Sequence, residues 1–185
     1  IYPAQDSADV WANPHIFQLD KDLLPKKVAG VPPDYFAKDG QLWGNPLYDW
    51  AACEKDGFAW WISRFIRMQE LYDCVRIDHV RGLDRYWAVP ADAKTAKDGK
   101  WESAPGAKMI SAVKSKVKKL RLIAEDLGTL DDGVTKLLKD TGLPGMKVMH
   151  FAFTDGDSLN LPHNYDTDCV AYTGTHDNDT TLGWY

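Results

Sequence analysis

Three short apolar runs in this chain end in carboxylates. VRI runs into Asp78–His79, RLIA into Glu125–Asp126, and CVAY is followed by GTHDND, which carries His176–Asp177. Charged groups are costly to bury, so acids placed at the ends of strand-like runs mark a task rather than core packing. Between the runs lie helical patterns. FAWWISRFIRMQELYD spaces Phe58, Trp61, Ile62, Phe65, Met68 and Leu71 along one helical face. Residues 106–119 and 129–141 also read as helices. The second is opened by Thr129 or Asp131 as cap and closed by Gly142. GMKVMHFAF reads as a further strand.

Strands alternating with helices predict a parallel α/β sheet. Acids at the carboxyl ends of several parallel strands are the layout of a (β/α)8 barrel active site. The interval from Asp78 to Glu125 fits one unit of ~30 residues plus an insertion around residues 91–105, and that from Glu125 to Asp177 fits two units. The fold expected is therefore a partial (β/α)8 TIM barrel of about four strands, forming one domain over residues 1–185. Residues 58–185 form its regular part. Residues 1–57 read as an irregular loop region, because VAGVPPDYFAKDGQLWGNPLYDW carries four turn signals. A start at Ile1 without Met and a stop just after Trp184 read as an internal segment cut at both sides.

Composition narrows the class. A formal charge of −5 with scattered Lys and Arg argues against nucleic acid as the main partner. No apolar run approaches the ~20 residues that span a bilayer. Cys53, Cys74 and Cys169 lie far apart in no metal-binding spacing, and read as buried free thiols of a reducing compartment. Eight Trp and eight Tyr are many for this length. Trp60 and Trp61 fall in a helix pattern and suit a core. Trp43, beside Gly44, Asn45 and Pro46, suits instead a surface on which a sugar ring could stack.

Convergent carboxylates without a phosphate loop or a Cys–His pair point to glycosidic bond chemistry. A retaining mechanism needs one ionised carboxylate to attack the anomeric carbon and one protonated carboxyl to release the leaving sugar. Asp78 suits the first role, because Arg76 two positions earlier on the same strand face favours the ionised form. Glu125 suits the second, because its apolar neighbours raise a carboxyl pKa. Asp177 would bind ring hydroxyls and favour the distorted sugar, while His79 and His176 would donate hydrogen bonds. A metal site at His176–Asp179 is the competing reading, weakened because only two His lie at strand ends. No metal or cofactor is required by the carboxylate mechanism.

The segments AGVPPDYF, GQLWGNPLYDW, VRIDHVRG, IAEDLG, LPGMKV, LPHNY and YTGTHDNDTTLGWY resemble the amylomaltases. These are the 4-alpha-glucanotransferases, or disproportionating enzymes, of glycoside hydrolase family 77. The resemblance implies an alpha-amylase-like barrel with inserted subdomains, acting on alpha-1,4-glucan donors and acceptors such as maltooligosaccharides and glucose. By position it implies Asp78 as nucleophile, Glu125 as acid/base and Asp177 as transition-state stabiliser, with Arg76, His79 and His176 binding substrate. Asp34, Trp43, Asn45 and Pro46 match a loop covering the acceptor side of the cleft. Val80 stands where the family pattern has Phe. The expected location is a bacterial cytoplasm, or a plastid for a plant protein. Amylase-type hydrolysis, metal-dependent hydrolysis and an inactive fragment are the rival expectations.

Overall fold

The computed structural model describes residues 1–34, 37–128, 131–153 and 158–185. In chain order its elements are α1 (Ala8–Ala12), β1 (Lys27–Val31), β2 (Gln41–Pro46), α2 (Trp50–Lys55), α3 (Ala59–Leu71), β3 (Cys74–Ile77), β4 (Arg85–Pro90), β5 (Lys100–Ser103), α4 (Gly106–Lys116), β6 (Arg121–Ala124), α5 (Asp132–Thr141), β7 (Gly145–Val148), β8 (Cys169–Tyr172) and α6 (Thr181–Trp184).

The helices form where the periodicity predicts them. In α3, Trp61 and Phe65 stand four residues apart and are buried. Asp56 lies ahead of this helix and accepts the Ala59 N–H at 3.2 Å. Helix α4 buries Met109, Ile110 and Val113 against its neighbours α3 and α5. The cap of α5 is Asp131, whose Oδ1 accepts the N–H groups of Gly133 and Val134. Gly142 ends it at φ 59°, a left-handed conformation that glycine adopts without penalty. The alternative cap, Thr129, lies outside the described residues.

All four expected strands are present and run parallel in two pairs. β3 pairs with β6 from Cys74↔Arg121 to Ile77↔Ala124. β7 pairs with β8 from Gly145↔Cys169 to Val148↔Tyr172. The pairs are stitched together: the Ala124 N–H donates to Pro144 O at 2.9 Å, and the Met146 N–H donates to Asp126 Oδ1 at 2.6 Å. A side chain at Gly145 would strike this same carboxylate, 2.3 Å from Oδ2. Between β7 and β8 only single 3-10 turns occur among the described residues, so the alternation with helices lapses there.

The irregular reading of residues 1–57 is corrected. β1 and β2 join β4 and β5 in an antiparallel sheet of order β2-β1-β4-β5. Gly30 is needed inside β1, because a Cβ there would lie 2.5 Å from Gln41 O on the neighbouring strand. The glycine that reads as a turn signal therefore serves close strand approach. A bulge between Val28 and Gly30 further breaks the period-two pattern. The insertion between β3 and β6 likewise forms strands, β4 and β5.

An aromatic cluster fills the core between α3 and the chain before it. Tyr48 packs against Phe17, Trp50, Trp60 and Trp61 at centroid distances of 5.0–5.7 Å. Trp61 is thus a core residue, as expected, and Trp60 packs half-buried against the core. All three cysteines are free, but only Cys53 is buried, while Cys74 is exposed and Cys169 half-buried. The burial expected for the other two fails because they sit at the first residues of β3 and β8, away from the core.

Candidate active site

β3 and β6 stop one residue before their acids. Pairing then continues through irregular hydrogen bonds: Glu125 N–H donates to Ile77 O at 2.8 Å and Val80 N–H to Glu125 O at 3.1 Å. His79 takes a left-handed conformation at φ 49°, which turns the chain out of β3 and points its N–H at Glu125. That N–H donates to Glu125 Oε2 at 2.7 Å, and the Leu127 N–H donates to Oε1 at 2.8 Å. Both oxygens of Glu125 are therefore held by backbone, and its position is tied directly to the residue following Asp78.

The two carboxylates occupy different environments. The Asp78 side chain is 62% exposed and meets the Arg76 guanidinium at 2.5 Å, as the shared strand face predicts. Glu125 is half-buried. Burial raises its pKa above the ordinary carboxylate value, and the Asp78 charge adds to this. The two backbone N–H bonds and Arg76 oppose the rise without cancelling it. An accessible anion beside an arginine, next to a desolvated acid, is a division into nucleophile and proton donor that such a site can use. Burial likewise lowers the His79 imidazole to about 4, with Asp78 opposing and Arg81 adding. The ring is neutral at ordinary pH.

The remaining expected residues divide. Trp43 sets its indole edge-on against His79, with ring centroids 4.8 Å apart. Asp34 lines a cleft of about 260 Å³ together with Gly30, His79, Arg81, Trp101 and Gly128. Asn45 donates to Pro3 O at 3.1 Å, and Pro46 is buried opposite Val28 in the sheet, so both serve the scaffold beneath Trp43. His176 and Asp177 stand in the loop after β8, each 72% exposed and 3.3 Å from one another. No hydrogen bond or ion pair joins them to Asp78 or Glu125 among the described residues. No group of three or more His, Cys, Asp or Glu side chains that could hold a metal occurs among the described residues either.

Sequence reasoning missed three contributors. Leu127 acts through its backbone N–H, which leaves no trace in residue type. Trp101 and Arg81 come together only because β5 pairs with β4 and places Trp101 beside the turn after His79. The Trp-centred alternation in KWES was the one available signal.

Comparison with known proteins points to one family. The family model described as 4-alpha-glucanotransferase matches residues 1–185. The 4-alpha-glucanotransferase of Clostridium butyricum is 54% identical over 188 residues, covering 100% of this chain and 38% of that protein. The chloroplastic/amyloplastic 4-alpha-glucanotransferase of Solanum tuberosum is 50% identical, covering 100% of this chain and 32% of the relative. The solved amylomaltase from Streptococcus agalactiae in complex with acarbose superposes with a TM-score of 0.94 at 47% identity, over 100% of this chain and 38% of that one. The chain thus spans about a third of the length of the relatives it matches. With a family model covering every residue and about half of its residues shared with these relatives, the chain belongs to the 4-alpha-glucanotransferase family.

Proposed function

We propose that the protein carrying this chain transfers segments of alpha-1,4-glucan between maltooligosaccharides with retention at the anomeric carbon. The observation that carries the reading is the unequal carboxylate pair: exposed Asp78 on Arg76, and half-buried Glu125 on two backbone N–H groups.

In the first step the Asp78 carboxylate attacks the anomeric carbon. The bond from that carbon to the leaving oxygen breaks, and Glu125 gives its proton to that oxygen. In the second step the Glu125 carboxylate takes the proton of an acceptor 4-hydroxyl, whose oxygen attacks the same carbon and releases Asp78. Neutral His79 donates to a sugar hydroxyl. Asp177, with His176, closes on the ring from the loop after β8 and stabilises the distorted sugar. Trp43 and the loop around it screen the intermediate from water, which favours transfer over hydrolysis. On this reading the four parallel strands are part of a (β/α)8 barrel, and the antiparallel sheet is an insertion in it. The bacterial and plastid relatives support a bacterial cytoplasm or a plastid as the compartment.

The test is product analysis of the full-length protein with maltotriose. The expected result is a ladder of longer and shorter maltooligosaccharides with free glucose and almost no new reducing ends, abolished by Asp78→Asn. Shorter products only, with reducing ends rising steadily, overturn transfer in favour of hydrolysis. Activity within about tenfold of the parent in Asp78→Asn overturns the nucleophile assignment, since loss of a covalent nucleophile costs far more.

A further inference from the structure

The cleft beside Glu125 has a wall that the proposed chemistry has not yet used. Trp101 lies on β5 directly across from Trp87, and the two indoles meet edge to face at 5.2 Å. The Arg81 guanidinium sits 4.9 Å from the Trp101 ring centroid and that of Arg85 5.8 Å away. Both guanidinium groups are pinned by one carboxylate, Asp131, which also caps α5. The indole is therefore fixed in place by two cations, a neighbouring ring and a helix terminus. It nevertheless remains 39% exposed. A rigid, half-exposed aromatic surface loses little entropy when a ligand covers it.

The cleft has sugar-like dimensions and chemistry. Its volume of about 260 Å³ falls below the ~300 Å³ at which pockets for drug-sized ligands begin, which suits one or two rings rather than a folded chain. The half-exposed indole of Trp101 borders the cleft, and Asp34, His79 and Arg81 line the same space with polar groups. Its place relative to the carboxylates gives it a direction. His79 and Leu127, which line it, are the residues whose N–H groups hold Glu125. Asp78 instead borders a separate hollow with Arg76, Arg64 and Val75. In retaining chemistry the acid stands on the side of the departing and incoming sugar.

We propose that Trp101 is a stacking platform for the acceptor sugar, a binding residue that sets acceptor affinity rather than bond cleavage. The proposal rests on the transferase reading above. It is tested in the full-length enzyme with amylose as a fixed donor and glucose varied as acceptor. Trp101→Ala is expected to raise the acceptor KM about fivefold, the size of one aromatic stacking contact, while kcat at saturating glucose stays within about twofold. Trp101→Phe should keep the parent KM. Trp101→Leu preserves an apolar cover over Trp87 without a flat face, and should reproduce the rise even where the alanine variant unfolds. An acceptor KM unchanged in Trp101→Leu, with transfer retained, overturns this proposal alone. Absence of transfer in the unsubstituted enzyme overturns the underlying reading and this proposal together.

Discussion

Glu125→Gln is the substitution that tests the site most directly. Glutamine keeps the shape of the side chain but has one acceptor oxygen where the carboxylate has two. His79 N–H and Leu127 N–H now point at two oxygens. In the variant one of them faces an NH2 group instead. An orphaned N–H in this half-buried position costs about 1–3 kcal/mol, so urea unfolding should register a loss of that size. The chemical loss is separate and larger. Removing a general acid costs roughly 10²–10⁴-fold, or about 2.7–5.4 kcal/mol of barrier, for a sugar leaving group that needs a proton. A glucosyl fluoride donor needs none, because fluoride departs unaided. Stopped-flow measurement should then show a burst of fluoride equal to the active-site concentration, followed by a slow phase in which the acceptor lacks its base. Maltotriose transfer within about tenfold of the parent, or equal losses with both donors, would refute the assignment of Glu125 as acid and base.

Three further outcomes follow from the same geometry. His79 is held neutral, with its pKa lowered from 6.5 to about 4 chiefly by burial, so the unfolded chain binds a proton that the fold refuses. Stability should therefore fall as pH drops from about 6.5 to about 4, and His79→Asn should flatten that part of the unfolding curve. Trp43→Ala removes the indole edge that rests on His79 and should raise the ratio of new reducing ends to transfer events; an unchanged ratio counts against a screening role. Asp131→Ala releases the cap of α5 and unpairs Arg81 and Arg85 together, with an expected loss of about 1–2 kcal/mol by urea unfolding.

The parallel strands were legible because each is a short run rich in apolar residues, and β3, β6 and β7 each follow a helix of plain periodicity. The pair Asp78 and Glu125 was legible for the same reason: each follows the last residue of such a run, and β3 and β6 pair in register, Ile77 opposite Ala124. What escaped the reading escaped for physical causes. Gly30 looks like a turn residue until its contact with Gln41 O is known. Residues Arg85–Pro90 form a strand-like run, but its partner KWES has a single apolar residue among charges, so the hairpin was read as a loop. The clamp of Arg81 and Arg85 on Asp131 joins residues about fifty positions apart, which no local pattern encodes. For Asn45 and Pro46 the motif gave no sign of the scaffold contacts they make, with Pro3 and with β1.

The handedness of residue 79 restricts which amino acids can stand there at all. At φ 49° a branched Cβ clashes with its own backbone, whereas Gly, Asn, Asp and His tolerate the region. Variation at this position is thus filtered by backbone geometry before any contact of the side chain counts. Leu23 and Phe58 show that unbranched Cβ positions can hold this conformation elsewhere in the chain, so the filter at the turn after Asp78 falls hardest on Val and Ile, whatever binds there.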